Sequence, residues 1–239
     1  MFVTPTDAHQ QDLAFAEEDR HGLYKTLFNR RDVRSQFKPD PVPDDVLARV
    51  LYAAHHAPSV GFMQPWNFTL VKDEAVKQQV HGLYQHANEA AANEFEDERQ
   101  QQYRQLKLAG ILDAPLNICI TCDRERAGPV VLGRQQMPEM DLFSSVCAVQ
   151  NLWLAARAEG LGVGWVSIKV LGIPDAIVPI AYLCVGYVDH FLATPELANK
   201  GWRQRLLLGD LVYTNQWGAG ADADLLQAIE QQAEFPYQF

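Results

Sequence analysis

No stretch of this chain is long and apolar enough to cross a bilayer. The longest apolar run, residues 179–188, falls well short of the ~20 residues a spanning helix needs and holds both proline and glycine. Positive charge is scarce too: 20 Lys and Arg against 30 Asp and Glu leave a net charge of −10, which argues against nucleic acid or an anionic membrane as the main partner. The N-terminal MFVTPTDAHQQDLAFAEEDR has no basic start leading into an apolar stretch, so no signal peptide is expected and a cytoplasmic location is. Cysteine is limited to four residues, all in apolar segments. Cys119 and Cys122 are spaced C-x-x-C, but within the strand-like NICITCD, where alternation sends them to opposite faces. Buried thiols in a reducing cytoplasm are expected there, not a zinc or redox pair.

The common catalytic signatures are missing as well. There is no Gly-Lys-Ser/Thr phosphate loop, no HExxH and no G-x-S-x-G elbow. GLGVGW contains G-x-G but precedes a strand, which weakens a dinucleotide-fold reading. His55 and His56 are adjacent, and neighbours on a helix point about 100° apart, so no metal site is expected. Neither repeats nor a low-complexity linker divides the sequence, and a single domain over residues 1–239 is expected.

What is present alternates between helix and strand. Leu47, Val50, Leu51 and Ala54 recur at helical spacing after a proline and two aspartates. Residues 67–73 (NFTLVKD) and 116–123 (LNICITCD) read as strands, as do GVGWVSI and IAYLCVGYV. Between the first two, residues 74–110 are polar and helix-prone, a candidate lid. Leu142, Val146, Val149, Trp153 and Ala156 mark a very apolar helix ending at Gly160, expected at the centre of the fold or in a subunit interface. A last helix is expected near residues 222–234. Without the regular repeat of a doubly wound sheet, an α+β sandwich is favoured.

Against the acidic background, FNRRDVRSQF stands out. On a helix, Arg30 and Arg34 share a face with Arg31 close by, so two or three guanidinium forks can converge on one phosphate. Asp32 in their midst is either an ordinary salt-bridge partner or a group facing something other than the anion. In APSVGFMQPW, small residues let backbone approach a planar ligand, Ser59 and Gln64 offer hydrogen bonds, and Met63 and Trp66 offer apolar surface. The alternative is a plain helix-to-strand turn with a buried tryptophan. Ser167 ends the apolar GVGWVS run, and GWRQR places a second basic pair, Arg203 and Arg205, late in the chain.

Taken in order, RRDVR, AAHHAPSVGFMQPWNF, EGLGVGWVSI and KGWRQRLLLGDLVY resemble the FMN-dependent nitroreductase fold family over residues 23–213. The nearer match within it is a subgroup that consumes its own flavin, with aspartate at the centre of the arginine cluster. The resemblance implies a three-layer α/β/α sandwich with a mixed, mostly antiparallel sheet, homodimeric with exchanged terminal extensions and FMN at the dimer interface. It implies that Arg30, Arg31 and Arg34 grip the ribityl chain and phosphate, helped by Arg203 and Arg205. Ser59, Gly61, Met63 and Gln64 would line the isoalloxazine, with Val166 and Ser167 along its other side.

The reaction so implied is O2-dependent fragmentation of reduced FMN to 5,6-dimethylbenzimidazole and erythrose 4-phosphate. NAD(P)H would enter only through a separate flavin reductase. Asp32 would be the base that takes a proton from ribityl C1′, and Ser167 the second catalytic residue. Nearby arginines lower a carboxylate's pKa and burial raises it, so the basicity of Asp32 depends on which effect dominates. The alternatives are an NAD(P)H-dependent nitroreductase or quinone reductase, which leaves FMN intact, and a non-catalytic flavin carrier.

Overall fold

A computed structural model describes residues 14–104, 110–166, 173–174 and 176–234. They fall into two compact units, Arg30–Glu196 and the described parts of Met1–Asn29 with Leu197–Phe239. The larger unit is built on four strands, β1 (Trp66–Val71), β2 (Leu116–Asp123), β3 (Leu161–Val166) and β4 (Ile177–Tyr187). They form one antiparallel sheet in the order β1-β2-β4-β3. All four were expected from the sequence.

The sheet is covered on both faces. On one lie α2 (Asp44–His55) and α6 (Met140–Ala158), which bury Val46, Leu47, Val50 and Ala54 against Val149, Leu152, Trp153 and Ala156. Alternation along β2 sends Leu116, Ile118 and Ile120 to this core, while Cys119 joins a second core with Val71, Val80, Ile111 and Cys184. Cys122 is buried on the α6 side, near Ser145, so the two C-x-x-C thiols do face opposite ways; all four cysteines are free.

The second face is covered by α3 (Glu74–Ala92) and the single turn α5 (Gly110–Asp113). Asp73 caps α3 by accepting from the Ala75 and Val76 amides at 2.8 and 3.1 Å. The expected polar lid is thus two different things. The first part, α3, sinks Val80 and Lys77 into the fold, with Lys77 Nζ donating to the Ala114 carbonyl at 2.9 Å. The short α4 (Asp97–Arg104) buries nothing. The central helix is also offset from its predicted stripe: Asp141, Ser144 and Ser145 are buried while Phe143 and Val146 face outward. Gly160, at φ +81°, terminates it as expected.

The smaller unit contains α1 (Glu17–Asn29), which has no buried residue, and α8 (Ala223–Glu234) beside a 3₁₀ turn at Leu208–Leu211. A single turn, α7 (Glu196–Asn199), lies where the two units meet in sequence. Among the described residues, no helix is long and apolar enough to cross a membrane.

One expectation is corrected. The helix ends at Asn29, and residues 30–33 run along the open edge of β3, with a bend at Arg34, rather than continuing helical. Val33 N–H donates to the Val163 carbonyl at 3.0 Å, forming an isolated parallel bridge between Asp32 and Val163. The two glycines of GVG are what permit this approach. A Cβ at Gly164 would sit 2.1 Å from the Val33 carbonyl oxygen, and one at Gly162 2.4 Å from a Val188 methyl.

Gly164→Ala should therefore lower stability by about 3 kcal/mol, the upper end for overpacking, because the blocking atom is backbone. Gly82→Ala, at an exposed position of α3 with nothing within 4 Å of the added carbon, should instead gain up to about 1 kcal/mol. Urea denaturation of the two variants checks this, and similar midpoints would contradict it.

Candidate active site

The extended backbone sorts the arginine cluster by alternation. Arg31 turns to one side, where Nε donates to the Leu192 carbonyl at 2.9 Å and Nη2 to that of Ala193. It fastens a neighbouring loop. Asp32 lies on the other side with Arg30 and Arg34. The Arg30 guanidinium stacks over the Trp153 ring, 4.6 Å from its centroid, and the Trp153 indole N–H reaches the Arg31 carbonyl at 3.3 Å.

Asp32 is held by two donors. Oδ1 accepts from the Trp165 backbone amide on β3, and Oδ2 from Arg34 Nε, each at 3.1 Å. Its side chain is partly buried, 34% exposed, and is held against β3 by the Trp165 amide. Burial pushes its pKa above the ordinary 3.8, against the lowering effects of the Trp165 amide, Arg34 and Arg30. Desolvation therefore outweighs the arginines. Cys184 of β4, 1% exposed, lies close enough for the aspartate to add to the rise that burial causes in its thiol pKa.

The second cluster is the turn at residues 59–66. Ser59 Oγ accepts from the Gln64 amide at 3.1 Å, and the Val60 amide donates to Ser144 Oγ of α6 at 3.0 Å. Gly61, Phe62 and Gln64 all have positive φ (52°, 52° and 49°), and for the two non-glycine residues this conformation costs about 1–3 kcal/mol each. Gly61 is also required sterically, since a Cβ there would lie 2.8 Å from a Val131 methyl. Met63 is buried with its sulfur 4.0 Å from Arg134, while Phe62 is 82% exposed.

What holds this strained turn is a residue the sequence reading missed. Arg126 Nη1 donates to the Gln64 and Trp66 carbonyls at 2.8 and 2.9 Å, and Nη2 to the Asn67 side chain. Nearby, fully buried Asp141 accepts from Arg124 and Arg134 at 3.0 and 3.2 Å, tying the loop after β2 to the start of α6. His55, the other notable side chain here, accepts from the Trp66 indole at 3.1 Å. Among the described residues no group of His, Cys, Asp and Glu could hold a metal.

The remaining predicted residues are placed as follows. Val166 is buried at the end of β3, opposite Tyr182. Ser167 lies outside the described residues. Arg203 and Arg205 are exposed on an irregular stretch of the smaller unit.

An antiparallel sheet between two helical layers, with a charged segment bridged to its open edge, defines an α/β/α sandwich of nitroreductase type. The sequence profile described as "Nitroreductase family" matches residues 27–187, and the chain belongs to that family. It is 41% identical over 193 residues to the 5,6-dimethylbenzimidazole synthase of Rhodospirillum rubrum, covering 78% of this chain and 91% of the relative. To the protein of the same name from Rhodobacter capsulatus it is 36% identical over 199 residues, 80% of this chain and 96% of the other. A crystal structure of oxidised iodotyrosine deiodinase bound to FMN and 3-iodo-L-tyrosine superposes with a TM-score of 0.63 at 21% identity. That match covers 82% of this chain and all (100%) of the other.

Two outcomes are expected at these clusters. Arg126→Gln should speed hydrogen exchange at the Met63 and Gln64 amides and cost roughly 1–2 kcal/mol, a charged hydrogen bond discounted for partial exposure. Unchanged exchange there would mean that the turn holds itself. For Asp32 the raised pKa fixes a sign: a carboxylate penalised by folding loses stability as pH rises from 3.8 through its higher folded pKa. Asp32→Asn should melt above the parent at pH 8, with the gain vanishing as pH falls to that of the free carboxyl; thermal melts across pH read the difference.

Proposed function

We propose that this protein is a 5,6-dimethylbenzimidazole synthase, fragmenting reduced FMN with O2 to 5,6-dimethylbenzimidazole and erythrose 4-phosphate. The observation that carries the reading is the seat of Asp32, a carboxylate among arginines whose burial keeps it more basic than an ordinary aspartate. The relatives at 41% and 36% identity, matched over most of their length, bear the name of the same enzyme.

The donor set fits FMN. Arg30, held over the Trp153 ring, offers a cation for the phosphate, and the neighbouring carboxylate suits a polyol chain next to it. Ser59, Gly61 and Gln64 occupy a strained turn of the kind found where backbone approaches a ligand. Met63 would support that turn from beneath rather than touch the ring. Val166 and Ser167 would border the flavin from β3, and Arg203 and Arg205 would complete the phosphate grip.

Bound in its reduced form, FMN would supply both the electrons for O2 and the carbon skeleton of the product. The chain's part is proton handling and exclusion of water. Asp32, held at both oxygens, takes the proton from ribityl C1′, the carbon that becomes C2 of the product. A base must be ionised to act, so product formation should fall on acidification, with its midpoint above pH 3.8. Ser167 is assigned to hydrogen bonding at the flavin. Exposed α4 is the better lid candidate, since α3 is anchored in the core.

A homodimer is part of this reading. Phe62 and Leu132 (82% and 81% exposed) and Phe143 (50%) lie on the 59–66 turn, the adjoining loop and α6, leaving an apolar face that a second copy would cover. Exposed Leu23, Tyr24, Leu27 and Phe28 suit α1 to an arm laid on the partner. The four free cysteines suit a reducing cytoplasm, and a separate NAD(P)H-dependent reductase would supply the reduced flavin.

Incubation of the protein with chemically reduced FMN in air, read by mass spectrometry, tests the proposal. New 5,6-dimethylbenzimidazole matched by loss of FMN is expected from the parent, and little from Asp32→Asn despite retained flavin binding. Intact FMN with steady NADH oxidation in the presence of a nitroaromatic would mark a reductase instead, and tight binding alone a carrier.

A further inference from the structure

The three arginines of residues 30–34 look interchangeable in sequence, but each has a different partner. Arg31 is spent on the Leu192 and Ala193 carbonyls. Arg30 lies on Trp153. Arg34 is hydrogen-bonded to Asp32 itself, Nε to Oδ2 at 3.1 Å, and only 13% of its side chain is exposed. Beyond it, Glu196 brings a second carboxylate to 4.0 Å from the same nitrogen.

A guanidinium Nε–H points in one direction, so it can aim only one acceptor. Here it aims Oδ2, while the Trp165 amide aims Oδ1. The carboxylate plane is thereby set by two donors on separate elements. A largely buried arginine between two carboxylates is poorly placed to leave them for a phosphate, because Asp32 would lose a charged hydrogen bond and Glu196 its nearby cation.

We propose that Arg34 is a positioning residue for Asp32 and not a phosphate ligand: it orients the carboxylate and supplies a positive charge beside a partly buried acid. The inference rests on the role of Asp32 proposed above. Every charged or titratable neighbour among the described residues bears on it. Arg30 and Arg34 act from the same segment, the Trp165 amide from β3, and the Cys184 thiol from β4, with buried Lys77 beyond it. Glu196 lies past Arg34. From α3, the Tyr84 phenol is pushed up to about 12 by burial first, then by Tyr103 of α4, with Arg34 opposing both. Arg34 is the cation in hydrogen-bond contact with the acid.

The test uses the full-length chain without flavin, labelled with 13C at aspartate carboxyls, the Asp32 signal being identified by its loss in Asp32→Asn. Its titration is followed in the parent, Arg34→Gln, Arg34→Lys and Arg30→Gln, and oxidised FMN affinity is measured by fluorescence quenching in the same chains. The Asp32 midpoint should rise by roughly one pH unit or more in Arg34→Gln and return most of the way in Arg34→Lys. FMN affinity should fall less than about threefold in Arg34→Gln and more than about tenfold in Arg30→Gln. An unmoved midpoint in Arg34→Gln, or an affinity loss equal to that of Arg30→Gln, would overturn the proposal. Should circular dichroism show Arg34→Gln misfolded, Arg34→Met, which fills similar space without a donor, is judged by the same criteria. A shifted midpoint together with parent-level product from Asp32→Asn would sink the base role while leaving the Arg34 bond standing.

Discussion

The candidate site depends on the unfilled side of strand β3. Among the described residues, in the order β1-β2-β4-β3, one flank of β3 is paired with a strand and the other is not, so the amide of Trp165 and the carbonyl of Val163 are available to something else. The chain fills that flank with residues 32 and 33, one bonding through its side chain and the other through its backbone. Asp32 is thereby fixed by sheet geometry, which is stiffer than a loop could provide. Gly162 and Gly164 are the cost of the arrangement, since any side chain there would collide with the docked segment.

This docking also explains how a carboxylate can be basic among arginines. Opposite charges near Asp32 favour its ionised form, and removal from water disfavours it more. The arginines are drawn off in different directions: Arg31 by two loop carbonyls, Arg30 by an indole face, Arg34 partly by Glu196. A cluster that reads as one block of positive charge is, in three dimensions, three separately engaged groups around a desolvated acid.

The strands and most helices were legible because their signals are local. Alternation and short apolar runs marked all four strands, and proline, aspartate and glycine marked the helix ends. Residues 30–34 were misjudged because their conformation is decided by a partner about 130 positions away, at Val163, while arginine spacing suits a helix equally well. The 59–66 turn was recognisable from its small residues, glutamine and proline, but the arginine that secures it was not. Arg126 sits in an ordinary polar loop, and only the fold brings it to the Gln64 and Trp66 carbonyls. The apolar stripe of α6 was read a little out of phase because buried Asp141, Ser144 and Ser145 break the simple rule that buried means apolar.

The segment docked on β3 has a second effect, on how the molecules behave toward one another. An uncovered strand flank is a template for pairing with any other chain, and proteins usually blunt it with charge, proline or a covering element. Here the covering element is the one that carries Asp32. Changes that loosen it would bare an adhesive strand as well as misplace an acid, so loss of activity and loss of solubility would tend to arrive together. Conditions that keep such variants soluble would be needed before their chemistry could be judged.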